Sequence, residues 1–223
     1  MTNAFYEKLA TSYDIKSLLR NRLQNTLDEI ISFPGSHKNL CVCFVDAVNS
    51  TRVTAPLAKE KVCKYYSIFL NGMATIAKEF GATVVKNVGD SLLYYFPETT
   101  NSTNMNAFTS SLECGLEMIN LRDIINDKMS EYDLPSVSYR ISADYGSILT
   151  AKSIQSQTDD IFGPAVNICA KMNHLARPNN MIIGGDLHQI VKYTDCYEFH
   201  SLSGVMSGLK LEYPVYSVTH RNL

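Results

Sequence analysis

VVKNVGDSLLYYF, residues 84–96, decides the fold. Two apolar runs flank a short polar centre, and Gly89 and Asp90 sit where a tight turn would fall. The pattern predicts a β-hairpin. Its tip carries one lysine, Lys86, and one carboxylate, Asp90.

The segments on either side extend the pattern. Upstream, NSTRVTAPLAKEKVCKYYSIFLNGMATIAKEFG reads as a turn and a long helix that Pro56 starts and Gly81 ends. Val62, Tyr66, Phe69, Leu70, Met73, Ile76 and Phe80 give it helical spacing. Before that, NLCVCFVDAV, residues 39–48, is an almost wholly apolar strand, as expected of one buried on both faces. Downstream, PETTNSTNMN is a polar loop, and a second amphipathic helix runs from Ala107 to Tyr132. VSYRISADYGSILTAK reads as a strand pair turning near Tyr145 and Gly146. SIQSQTDD reads as a loop, and FGPAVNICAKMNHLA as a helix opened by Gly163 and Pro164. NNMIIGG is then a short strand, GDLHQIVKY a short helix, and CYEFHSLSGVMSGLKLEYPVYSV two or three antiparallel strands.

Hairpins alternate with helices, which predicts an α+β domain with a mainly antiparallel sheet and flanking helices. Residues 5–33 carry helical spacing until Pro34 and Gly35 break it. The chain therefore divides into an N-terminal helical extension, residues 1–36, and a main domain, residues 37–223. The extension would pack on the main domain or make a dimer contact.

Composition narrows the function. Hydrophobic residues make up 45% and charged residues 19%, the balance of a globular protein. A net charge of −2 offers no general basic surface, so no nucleic-acid partner is expected. No apolar run reaches the length of a membrane helix, and the N-terminus lacks a signal-peptide core. A cytoplasmic location without membrane insertion is expected. The six cysteines form no C-x-x-C pair and no zinc spacing, and read as reduced core thiols.

Two carboxylates sit awkwardly in this pattern. Asp46 interrupts the apolar strand, and Asp90 follows Gly89 at the hairpin tip. Alone, Asp90 reads as an ordinary turn aspartate, and Asp46 as a cap on the NST turn. Together, on neighbouring strands, they would converge at one edge of the sheet. Two such carboxylates can hold Mg²⁺, with phosphate oxygens completing the octahedral shell, and two metals held in that way support in-line phosphoryl displacement.

Four blocks now resemble the class III nucleotidyl cyclase catalytic domain, the adenylate and guanylate cyclase family. They are CVCFVDAVNST, VVKNVGDSLLYYF, YRISADYGSI and DIFGPAVNICAKM, in the family's order, and the resemblance covers about residues 39–219. It implies a ferredoxin-like βαββαβ cyclase fold, two Mg²⁺ or Mn²⁺ ions per site, and a head-to-tail homodimer acting on ATP. By the same resemblance Asp46 and Asp90 match the metal aspartates, and the carbonyl of Ala47 is an added ligand. Lys86 and Asp160 match the pair that reads the base. A lysine donor suits adenine N1 and an aspartate acceptor suits the N6 amino group, whereas guanine presents the opposite polarity. Asn167 matches the residue that positions the ribose, and Arg140 an arginine that contacts phosphates.

Three positions depart from the family pattern. Lys171 stands where a transition-state arginine is usual, keeping the charge without the planar fork, with Arg177 a substitute cation. Lys210 is the candidate for a C-terminal phosphate lysine. Asn49 stands where glycine is frequent. The resemblance implies an adenylate cyclase. A pyrimidine or guanylate cyclase and a non-catalytic nucleotide-binding module are the alternatives.

Overall fold

The computed structural model of the chain describes residues 15–21, 23, 31–33, 37–153, 159–202 and 213–221. Its centre is β2, His37–Ala47, which pairs antiparallel along both edges. Cys41, Cys43, Val45 and Ala47 enter one core cluster, while Leu40, Val42 and Phe44 enter another. Strand alternation therefore buries both faces, as an almost continuous apolar run requires.

On one edge of β2 lies β4, Ser91–Phe96, which pairs in turn with β3, Thr83–Val88. On the other lies β5, Tyr139–Ser153. β6, Asp160–Phe162, pairs antiparallel with the C-terminal part of β5, and β7, Asn180–Gly184, pairs parallel with its start. β8, Tyr197–Leu202, and β9, Val215–His220, close the order β3-β4-β2-β5-β7-β9-β8. A mixed α+β fold with a mainly antiparallel sheet is therefore observed, as expected. β2, β3, β4 and β5 carry the βαββαβ connectivity, with β2 and β4 inside β3 and β5.

Helices cover the two faces unequally. The larger cluster receives α2 (Lys59–Glu79), α3 (Met105–Asn120), α4 (Arg122–Ser130) and α6 (Gly185–Val191), through side chains such as Phe69, Leu112, Met129 and Leu187. The smaller receives α5, Pro164–Met172, through Ala165, Cys169 and Met172. A short helix, α1 (Ser50–Thr54), follows β2 directly.

Several local expectations change. Tyr145 and Gly146 are not at a turn, because β5 runs unbroken with Gly146 opposite Leu40. A Cβ at Gly146 would lie 3.3 Å from that of Ala165, so this glycine marks the close approach of α5. Pro56 does not start α2. It lies between α1 and an extended Ala58, and α2 begins at Lys59, because Leu57 N–H already bonds the carbonyl of Thr54. Gly81 does follow the end of α2, at φ 83°. The helix expected over 107–132 is two helices meeting at Leu121, whose backbone (φ −82°, ψ 5°) leaves the helical region.

The N-terminal extension also differs. Residues 15–21 are helical, but Ile31–Ser32 form a strand, β1, paired with Ser153 and Lys152 of β5. Pro34 disfavours helix at Phe33, and β5 runs on beyond the start of β2, offering ladder groups to this segment. Cys41, Cys43, Cys114 and Cys169 are buried, Cys63 and Cys196 exposed, and all are free thiols. Burial pushes the Cys43 and Cys169 thiols well above their ordinary value and Cys114 up to about 12, so these three are unreactive at neutral pH.

Candidate active site

The candidate residues gather on the α5 face of the sheet and at the adjoining hairpin tip. Asp46, next to last in β2, shares the face of Phe44 and stands opposite both Ser91 of β4 and Arg140 of β5. Asp90 is the second residue of the β3–β4 turn, after Gly89 at φ 64°. A positive φ at the first of two turn residues is the pattern of a type II′ hairpin, which favours glycine there. Ala47 N–H donates to the Asp90 carbonyl at 3.4 Å. The C=O of a strand residue points the same way as its N–H, so the Ala47 carbonyl also faces this edge. Asp46, Ala47 and Asp90 thus lie next to one another at this end of the sheet.

Each carboxylate is held by a serine that the sequence reading passed over. Ser91, beside Asp90, donates to Asp46 Oδ1 at 2.6 Å, and the buried Ser50, four residues after Asp46, donates to Asp90 Oδ2. The two bonds cross. The signal was available, since both serines are adjacent to the motifs in GDS and VNST. Asn49, in place of the frequent glycine, has φ 56° and ψ 26°. This is left-handed backbone that asparagine tolerates, so the departure leaves the turn intact.

Hard oxygen donors on adjacent strands fit a divalent cation. No group of three or more His, Cys, Asp or Glu able to hold a metal occurs among the described residues. A cation held by Asp46 and Asp90 would therefore need further oxygens, such as the Ala47 carbonyl, to complete its shell. Arg140 engages one of the two carboxylates: its Nη2 donates to Asp46 Oδ2 at 3.2 Å, with side chains 19% and 17% exposed.

Lys86 and Asp160 also meet. Lys86 Nζ donates to Asp160 Oδ2, and Asp160 Oδ1 accepts from Ile161 N–H at 2.8 Å. A bulge at Val85 makes this possible. Register runs Val84↔Tyr94 and then Lys86↔Leu93, so Lys86 takes the face of Leu93, which packs in the smaller cluster with Ile161. Without the extra residue, alternation would turn Lys86 to the other face. The Phe162 ring lies 5.9 Å from Lys86 Nζ.

Asn167 and Lys171 stand one turn apart on α5, both exposed and opposite its buried Ala165, Cys169 and Met172. Neither side chain has a hydrogen bond or ion pair among the described residues, and the structure brings neither to the carboxylates. Gly163 opens this helix at φ 140°, where a Cβ would sit 2.6 Å from the Ser147 carbonyl oxygen. Arg177 is exposed beyond the helix. Lys210 lies outside the described residues.

A third carboxylate, Asp144, went unremarked within ISADYGS although it interrupts a strand as Asp46 does. It is fully buried on β5. Tyr213 OH donates to its Oδ2 at 2.8 Å, and the N–H groups of Tyr145 and Leu187 bond Oδ1. Burial raises its pKa to about 6, against the lowering effect of those hydrogen bonds.

The family model of the adenylate and guanylate cyclase catalytic domain matches residues 34–217. The crystal structure of the adenylyl cyclase CyaB from P. aeruginosa shares the fold at TM-score 0.75 and 18% identity, over 84% of this chain and 96% of that one. The guanylyl cyclase Cya2 gives 0.73 at 18% identity, over 82% and 93%. The guanylate cyclase domain of RhGC from Catenaria anguillulae, solved in complex with GTP, gives 0.67 at 20% identity, over 84% and 100%. No curated protein sequence matches the chain. Among the described residues no helix is long and apolar enough to cross a membrane.

Proposed function

Because the chain belongs to the adenylate and guanylate cyclase catalytic domain family, we propose that it is an adenylate cyclase, converting ATP to 3′,5′-cyclic AMP and pyrophosphate. The observation that carries the choice of base is the Lys86–Asp160 pair. With Lys86 donating to N1 and Asp160 accepting from the N6 amino group, the pair matches adenine; in that orientation guanine would set N1–H against the lysine and O6 against the carboxylate.

The remaining roles are those that the family resemblance implies. Asp46 and Asp90, with the Ala47 carbonyl, would hold Mg²⁺ or Mn²⁺, two ions per site. Held there, such ions supply a lowered pKa at the ribose 3′-hydroxyl and neutralisation of the triphosphate. Asn167 would orient the ribose so that its 3′-oxygen lines up with the α-phosphorus. Lys171 and Arg140 would offset charge developing on the phosphates. Lys171 does this without the bidentate fork of an arginine, which predicts a slower enzyme.

One chain carries both the carboxylate set and the base-reading and ribose set. Asn167 and Lys171 point to solvent on α5, where a second copy can reach them. A head-to-tail homodimer would place each set opposite the other and form two identical sites by two-fold symmetry.

Incubating the purified chain with Mn²⁺ or Mg²⁺ and each of ATP, GTP, CTP and UTP tests the reading. Cyclic AMP from ATP is expected, and its loss in Asp46→Ala. No cyclic AMP under any metal condition overturns the assignment, and a cyclic pyrimidine or guanosine product replaces it with another cyclase specificity.

A further inference from the structure

Asp46 has both carboxylate oxygens engaged. Ser91 Oγ holds Oδ1 at 2.6 Å, and Arg140 Nη2 holds Oδ2 at 3.2 Å. The two contacts differ in kind. A hydroxyl is neutral, and an oxygen that accepts from it keeps a further lone pair, so Ser91 can stay when a cation arrives. A guanidinium carries a full positive charge and is itself bonded to Oδ2, so a cation on the same carboxylate would meet like charge beside it. At less than one-fifth exposure, repulsion between the two is only partly screened.

Arg140 is otherwise thinly held. Its Nη1 reaches the His174 carbonyl only at 3.5 Å, and its buried Nε has no partner among the described residues. Of the five N–H donors of a guanidinium, one makes a good charged bond. Such a group gains by exchanging its carboxylate for phosphate oxygens that satisfy more donors at once. The contact is also built in. Arg140 and Asp46 are directly opposite one another on the central strands β5 and β2.

We propose that Arg140 and a divalent cation compete for Asp46, so that Arg140 serves as the exchangeable counter-ion of the cation site and is drawn off it by the nucleotide's phosphates. The proposal rests on the reading of Asp46 and Asp90 as metal carboxylates, and goes beyond it in assigning the order of events. Cation alone binds weakly, because it must displace a guanidinium. A triphosphate that captures the guanidinium uncovers Oδ2, so nucleotide and cation each tighten the other's binding by the same factor.

The test is binding, not turnover. Mn²⁺ alone is titrated calorimetrically into wild type and Arg140→Gln, and ATP is titrated into both in EDTA. Arg140→Gln is expected to bind Mn²⁺ more tightly, by about 5-fold or more given the usual size of such couplings, and ATP more weakly. A merely structural role would weaken both, so the opposite signs are diagnostic. Circular dichroism checks the fold of the variant. Mn²⁺ should also raise its melting temperature by more than it raises that of wild type. Arg140→Lys, which keeps the charge and loses the fork, should fall between the two. Mn²⁺ binding by folded Arg140→Gln that equals or trails wild type overturns the counter-ion role. If the glutamine variant does not fold, Mn²⁺ binding by Arg140→Lys no tighter than wild type does so instead. Wild type that takes up no Mn²⁺, with or without ATP, overturns the metal-site reading itself, which is a different result.

Discussion

Lys86 of β3 donates a hydrogen bond to Asp160 of β6 across 74 residues of chain. The pair is partly exposed, at 45% and 28% for the two side chains, so its contribution to stability is small, about 0–1 kcal/mol. Its value lies in polarity. Lys86→Met should leave the urea midpoint nearly unchanged and lower kcat/KM for ATP by roughly 100-fold, with a smaller loss for GTP. Parallel loss of stability and activity would instead mark the pair as structural.

The crossed serines lead to a second expectation. Ser91→Ala and Ser50→Ala each free one carboxylate to move and remove one bond worth about 1–2 kcal/mol. The Mn²⁺ concentration for half-maximal rate should rise roughly 5- to 30-fold in each, following from that energy. The rate at saturating Mn²⁺ should fall much less. The double variant should show less than the sum of the two losses, because both bonds hold one pair of carboxylates.

Gly163→Ala tests how α5 is seated. The residue needs φ 140°, and its new methyl would meet the Ser147 carbonyl oxygen at 2.6 Å. Strain and clash together should cost about 2–4 kcal/mol, read as a lowered urea midpoint. Any relief by shifting the helix start displaces Asn167, one turn on, so kcat should fall even where the variant remains folded.

Asp144 gives a pH signature. Its folded pKa is raised from 3.8 to about 6, chiefly by burial. The folded state therefore binds more protons than the unfolded state between these values, and this group's contribution to stability falls as pH rises from about 4 to 6, then levels. The difference amounts to about 2 pKa units, roughly 3 kcal/mol. Asp144→Asn removes the titration. Urea melts at intervals from pH 4 to pH 7 should show the variant gaining on wild type through that window and no further above it. A constant difference across the range would contradict the raised pKa.

Much of the fold was legible in sequence. The apolar run at residues 40–45 and the hairpin at 84–96 state their own structure, because strand alternation and turn chemistry are local. The candidate carboxylates were legible for a related reason. Asp46 breaks an apolar run, and an unpaired carboxylate there is costly, so the residue announces a purpose. Asp144 breaks a run in the same way and could have been found by that argument. The misreadings at Gly146 and Pro56 share one cause. Glycine and proline mark irregular backbone or close packing, and sequence alone does not say which.

By itself the sequence determined most of the strands and helices, the mainly antiparallel α+β class, and the residue types available for phosphate and base chemistry. Only the tertiary structure decided who touches whom. It placed the bulge at Val85 that turns Lys86 toward Asp160, crossed Ser50 and Ser91 onto each other's aspartates, and set Arg140 on Asp46, 94 residues away. The physical reason is that propensity and periodicity act within a few residues, whereas a side chain's partner is set by strand register. Register is fixed only when distant strands pair, and a shift of one residue turns every side chain to the other face.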